Sequence, residues 1–254
     1  MPEAVLTVLG KYSLVTAFAV VGAMVWGSYF VSDKLTNKRL HGSAIAIALG
    51  LMLAGIGGYL TGGSKGIADV PVLAGMGILG GSMLRDLAIV ATAFGVKLSE
   101  FRKTGMSGLL SLVLGISLPF FIGAIVAYAF GYRDAVSLTT IGAGAATYIV
   151  GPVTGTALDA TSDVKALSVA VGLVKSILVM TTTPFVARWI GLNNPTSALI
   201  FGGLMGTTSG VAAGLAATDE KLVPYGAMTA TFYTGIGCLL GPSLFYVLIR
   251  FVVG

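Results

Sequence analysis

Eight apolar segments fill nearly the whole chain, at about residues 12–32, 42–62, 67–95, 106–130, 137–158, 164–190, 196–217 and 222–253. Each reaches at least the roughly 20 residues that an α-helix needs to cross about 30 Å of hydrocarbon. Only 10% of the 254 residues are charged against 56% hydrophobic, whereas a soluble domain carries about a quarter charged residues. Lipid offers no partners for backbone N–H and C=O groups, so only helices or closed barrels can span it, and barrel-type alternation is absent. The 37 glycines fit close helix packing, which in a bilayer replaces the hydrophobic drive. The expected fold is an all-α polytopic membrane protein.

The same composition excludes several kinds of chemistry. With one cysteine, Cys238, and one histidine, His41, the chain builds neither an internal disulfide nor a Cys/His metal cluster nor a cysteine–histidine nucleophile pair, and it is read as no enzyme and as using no cofactor. Gly75, Gly77 and Gly80 fit G-x-G-x-x-G, but they lie in a membrane segment and not between a strand and a helix, so nucleotide binding is rejected. The formal charge of +5 reflects loops, without the long basic arm of a nucleic-acid binder. Lys34, Lys38 and Arg39 in one loop and Lys97, Arg102 and Lys103 in another should both be cytoplasmic, which places the amino terminus outside if residues 67–95 cross once. The first segment is too long for a signal-peptide core and is read as a retained helix.

Charge inside the apolar spans marks function. Lys175 sits in mid-span with no other charge between Lys165 and Arg188. A central Lys costs roughly 2.5–3.5 kcal/mol to insert, so it faces a bundle interior, a water-filled cavity or an anion. An anion site is the functional reading, and a Lys tied to backbone carbonyls in a structural role is the bland one. Arg85 and Asp86 lie together in the 67–95 segment, which Gly77, Gly80 and Gly81 interrupt, so either a broken helix or an interfacial amphipathic end is expected there.

Residues 137–160 and 200–219 are poor spanning helices. Gly142, Gly144, Gly151 and Pro152 weaken the first, and Thr147, Thr154 and Thr156 offer hydroxyls near its break; the second holds Thr207, Thr208 and Ser209 at its centre. At an offset of sixty, Gly142 matches Gly202, Thr147 matches Thr207 and Asp159 matches Asp219. Each copy reads as a small-residue hairpin, an acidic turn and a long helix, over about 137–190 and 196–253. About six spanning helices plus two re-entrant hairpins follow, arranged as an inverted repeat. Residues 1–130 form a scaffold-like part with the broken helix at 67–95, and 131–254 form the transport core. Hairpin tips near the midplane present helix N-termini to anions and hydroxyl or carbonyl oxygens to cations. Lys175, Thr147, Thr207, Thr208, Ser209 and Arg85 are the candidate substrate-binding residues, and Asp86, Thr154 and Thr156 the candidate cation ligands. Asp159 and Asp219 are read as helix terminators. Gly202, Gly206, Gly210 and Gly214, every fourth residue, also fit a plain packing stripe.

From Lys11-Tyr-Ser-Leu-Val-Thr through Ser32-Asp-Lys-Leu-Thr-Asn and Leu40-His-Gly-Ser-Ala-Ile to Thr207-Thr-Ser-Gly210, the chain resembles the MadM family, the larger subunits of two-component malonate transporters. Over residues 40–250 it is more distantly similar to the LrgB/CidB membrane family, whose basic residue before Pro152 and whose hairpin His are missing here. The first resemblance implies uptake of malonate by symport with sodium, or with protons, across a bacterial inner membrane, together with a smaller subunit resembling MadL. An elevator-like movement of residues 137–253 is the expected form of alternating access. The second leaves a passive pore or holin-like export protein as the alternative. A carrier saturates and accumulates its substrate against a gradient, whereas a pore does neither.

Overall fold

A computed structural model describes residues 3–36, 42–63, 65–79, 99, 102 and 105–254, and among these every regular element is helical. The chain forms two compact units, residues 1–94 and 95–254. In the first, α1 (Glu3–Lys11), α2 (Ser13–Leu35) and α3 (Gly42–Thr61) precede two 3₁₀ turns, Gly66–Asp69 and Pro71–Leu73, and the short α4 (Gly75–Leu79). The start of the segment expected as a broken helix is thus irregular. Pro71, which has no N–H, opens the second turn, and Gly66 takes a φ of +61°. Gly80, Gly81, Arg85 and Asp86 lie outside the described residues, so the G-x-G-x-x-G stretch is seen only over α4, preceded by a 3₁₀ turn instead of a strand.

The second unit contains α5 (Gly105–Ala129), α6 (Ala135–Ala146), α7 (Val150–Ala157), α8 (Ser162–Val186), α9 (Pro195–Met205), α10 (Thr208–Ala216), α11 (Val223–Leu240), a π-helical turn at Gly241–Phe245 and α12 (Tyr246–Val253). At 1.5 Å per residue, α5 and α8, each of 25 residues, reach about 37 Å. Four described helical stretches combine the length and hydropathy of a membrane crossing: Ser13–Leu35, Gly105–Ala129, Ser162–Val186 and Glu220–Val253. Of the other expected spans, Gly42–Thr61 is an apolar helix of 20 residues, and most of 67–95 lies outside the described residues. Helix α5 has the inverted amphipathicity of a lipid-facing helix. Gly108, Ser111, Leu112, Gly115, Ile116 and Phe120 recur at helical spacing on its buried side, while Leu109, Val113, Leu118 and Ile122 are exposed.

The short elements pair into hairpins. A Cβ on Gly151 would lie 2.9 Å from the Gly144 Cα, and one on Gly155 would lie 2.7 Å from the Thr140 Cγ2, so α7 runs back antiparallel along α6. Both arms of the second hairpin meet at Gly226 of α11, where a Cβ would lie 2.9 Å from the Val211 Cγ1 and 3.3 Å from the Ala198 carbonyl oxygen. Ala198, Phe201, Val211 and Leu215 share one apolar cluster there. At α6 and α9 only about 18 Å of helix precedes each reversal, half a crossing.

The repeat at an offset of sixty extends into the caps. Gly131 and Gly191, with φ of +103° and +66°, end the preceding helices. Asp134 accepts from the Ser137 N–H at 2.7 Å and caps α6; Asn194 accepts from the Ser197 N–H at 2.9 Å and caps α9. Asp159, at φ +53°, closes α7 in a left-handed turn in which the Ala160 N–H reaches the Gly155 carbonyl at 2.8 Å, and Asp219 accepts from the Lys221 N–H at 3.0 Å. Both acids therefore terminate or cap helices. The glycine stripe is broken at its second member: Gly206 is the left-handed cap of α9 at φ +68°, with the Tyr233 ring where its Cβ would be.

Candidate functional site

The two reversals and the middle of α8 converge. Hairpin 1 turns at Thr147, Tyr148 and Ile149, between the C-terminus of α6 and the N-terminus of α7. Hairpin 2 turns at Gly206 and Thr207. Helix α8 touches both tips over one turn. Gly172 lies directly under the Tyr148 backbone, and the Ser176 carbonyl is 2.8 Å from where a Cβ on Gly210 would stand. The Ser176 and Thr207 hydroxyls are hydrogen-bonded, and the Tyr148 hydroxyl meets the Ser209 Oγ at 3.3 Å. Tip thus meets tip through a pair of side chains 61 residues apart.

Lys175 sits on this turn of α8. Its ammonium donates to the Ala146 carbonyl at 2.6 Å and to the Tyr233 hydroxyl at 3.4 Å, and lies 5.3 Å from the Tyr233 ring centroid. Ala146 is the last residue of α6, where the unpaired carbonyls concentrate the negative end of the helix dipole. Tyr233 is fully buried, and its hydroxyl stands 2.7 Å from the Gly115 carbonyl of α5 and 3.1 Å from that of Ala146. One phenol therefore ties α5, hairpin 1 and α11 together beside the ammonium. Replacing Tyr233 by Phe removes that donor from buried carbonyls. We expect a loss of about 1–3 kcal/mol, read as a lower unfolding temperature in detergent.

Among the described residues three hydroxyls are buried with no hydrogen-bond partner: those of Thr140, Thr147 and Thr154, all on hairpin 1. A threonine inside a helix ordinarily satisfies its hydroxyl on the carbonyl one turn back, as Thr139 does on Ala135 at 2.6 Å. An orphaned buried hydroxyl costs free energy, so three in one hairpin point to a ligand that completes them. Among the described residues no three His, Cys, Asp or Glu gather to hold a metal ion.

The family model described as the malonate/sodium symporter MadM subunit matches residues 5–253. The chain belongs to the MadM family. No curated protein and no solved structure matches it.

In this MadM-family chain the structure brings together Lys175, Thr147, Thr207 and Ser209, with Thr208 half-buried at the start of α10. Thr207 accepts from the Gly210 N–H at 3.4 Å and so caps α10 as well as meeting Ser176. Thr154 is buried one turn further down α7, against Gly241, whereas Thr156 is exposed near that helix's far end. Arg85 and Asp86 lie outside the described residues. Sequence reasoning did not single out Tyr233, Tyr148 and Ser176, nor the Ala146 carbonyl. Tyr148 stands inside the same tip and Ser176 beside Lys175, so both were within reach of the reasoning that found their neighbours. Tyr233 is one aromatic residue among many in an apolar helix and carries no local signal.

Proposed function

We propose that the chain is the substrate-binding subunit of a sodium-coupled malonate importer, with the site at the meeting of the two hairpin tips and α8. The convergence of Lys175 with both tips is the observation that supports this most directly. An ammonium has three donors. Two point at Ala146 and Tyr233, and the third serves one malonate carboxylate. Thr147, Thr207, Thr208 and Ser209, with the first N–H groups of α10, serve the rest of the dianion. One Lys leaves one negative charge in a low-dielectric site, which the co-transported cation offsets. The orphaned Thr154 hydroxyl and the carbonyls at the end of α6 are the hard oxygens available to sodium. Exposed Thr156 takes a lesser part, and Arg85 and Asp86 remain candidates on the first unit.

The two hairpins enter from opposite faces in this reading. Lys97, Arg102 and Lys103 put the start of α5 on the cytoplasmic side, so hairpin 1 enters from outside and hairpin 2, flanked by Arg188 and Lys221, from the cytoplasm. Alternating access is an elevator-like movement of the hairpin half against the amino-terminal helices and a small partner resembling MadL. Because Tyr233 bonds Gly115, α5 travels with the hairpins. Crosslinks that lock the 1–94 and 105–254 parts together should stop transport, and transport surviving them rejects the elevator.

The deciding experiment is uptake of radiolabelled malonate into proteoliposomes holding this chain and its small partner, with a sodium gradient, a proton gradient or neither. Saturable accumulation that requires sodium is the expected result. Equilibration that neither saturates nor responds to either gradient would establish a holin-like pore instead. Within the same assay, Thr147→Val should raise the half-saturating malonate or sodium concentration by about tenfold, as loss of a ligand hydroxyl worth about 1–1.5 kcal/mol predicts. The unfolding temperature should hardly change, because the Thr147 hydroxyl bonds nothing among the described residues.

A further inference from the structure

Away from the tips, a groove of about 720 Å³ opens between α5, α6 and α12. Phe121, Ile125, Leu138, Leu248 and Phe251 line it, and Tyr128 and Arg133 also border it. Its direction follows from the packing. Phe245 packs against Phe120 and Phe121 at centroid distances of 4.3 and 5.5 Å, so α12 starts level with them. From that floor seven residues of α5 lead to Tyr128, about 10 Å, and Arg133 stands just beyond the end of the helix.

Arg133 is held in place without an ion-pair partner among the described residues. Its guanidinium lies 4.0 Å from the Tyr128 ring centroid and donates through Nη1 to the Tyr132 carbonyl at 3.0 Å and to that of Tyr128. The neighbouring acid, Asp134, is occupied as the cap of α6, and no carboxylate pairs with Arg133 among the described residues. The remaining donors form the planar fork that matches a phosphate. An apolar groove thus ends in a fixed cation, with no carboxylate partner among the described residues, at the end of a membrane helix.

We propose that this groove binds an anionic phospholipid, with the upper part of an acyl chain in the slot and the phosphate on Arg133. A partner helix fits less well. Such a helix is 10–12 Å across and about 30 Å long, against a slot about 10 Å long, and seating it there would bury the unpaired guanidinium at a cost of several kcal/mol.

The test is thermal unfolding of the full chain with its partner subunit in uncharged detergent, titrated with phosphatidylglycerol, phosphatidylcholine or soluble glycerol phosphate. Phosphatidylglycerol should raise the unfolding temperature saturably, phosphatidylcholine much less, and glycerol phosphate not at all. Arg133→Gln should weaken the phosphatidylglycerol effect about five- to tenfold, as expected for one interfacial cation, and leave the phosphatidylcholine response unchanged. Ile125→Trp, which fills the slot, should remove the response to both lipids. Equal shifts from the two lipids, an unaltered Arg133→Gln response, or a glycerol phosphate effect matching that of the lipid each overturns the proposal. A lipid response seen for the chain alone and lost in the complex overturns it too, and assigns the groove to the partner. If Ile125→Trp does not fold, the Arg133→Gln comparison decides.

Discussion

Lys175→Met is expected to abolish malonate uptake, lowering kcat/KM by at least about a hundredfold, within the roughly 2–5 kcal/mol lost when one partner of a desolvated charge pair is truncated. The structure makes this test sharper than depth alone does, because the ammonium already bonds the Ala146 carbonyl and the Tyr233 hydroxyl. Those two contacts are what a purely structural lysine would make. The roles separate in the stability of the variant. Met keeps the length and apolar body of the side chain and removes a charge that is costly to desolvate, so a substrate-binding Lys175 predicts lost uptake with an unfolding temperature equal to wild type or higher. Uptake and stability falling together would mark a structural lysine, and unchanged uptake kinetics would remove it from the site.

Gly172→Val should be as damaging by a different route. A Cβ at this position falls on the Tyr148 backbone and 2.6 Å from the Gly144 carbonyl oxygen, so α8 and hairpin 1 pack backbone against backbone here. A clash with the end of a flexible side chain is relieved by a rotamer change, but one with backbone is relieved only by moving the hairpin. Overpacking costs about 1–3 kcal/mol and occasionally more. Here the displacement also carries Ala146 away from Lys175 and Tyr148 away from Ser209. Uptake should be lost and the unfolding temperature lowered by several degrees. Gly235→Ala is the control, since nothing lies within 4 Å of a Cβ there and neither readout should move. A fully active Gly172→Val protein would show that the hairpin tip does not need its seat on α8.

Much of the candidate site was legible from residue type. Lys175 drew attention because a charge in an apolar span is costly anywhere along it. The hairpins showed through Gly142, Gly144, Gly151 and Pro152, each of which weakens a helix locally. The caps were legible in part: Asp159 and Asp219 stood out in their turns, whereas the equivalence of Asp134 with Asn194 needed the structure, because Asp and Asn do not match as letters although both accept a bond from an N–H three residues on. The four-residue glycine spacing was ambiguous for a related reason. It suits a straight packing stripe as well as a hairpin, and only the left-handed φ of Gly206 shows that the chain turns.

Membrane residence, the lengths of the spans, the two weakened segments and the presence of one internal cation were determined by the sequence alone, because hydropathy, helix propensity and the cost of burying a charge are sums over neighbouring residues. Tertiary structure alone decided what that cation meets. The Ala146 carbonyl lies 29 residues from Lys175 and the Tyr233 hydroxyl 58, and Tyr148 reaches Ser209 across 61. Such pairs form only after the chain has reversed and packed backbone against backbone at glycines, and no local property of either partner records that they will meet.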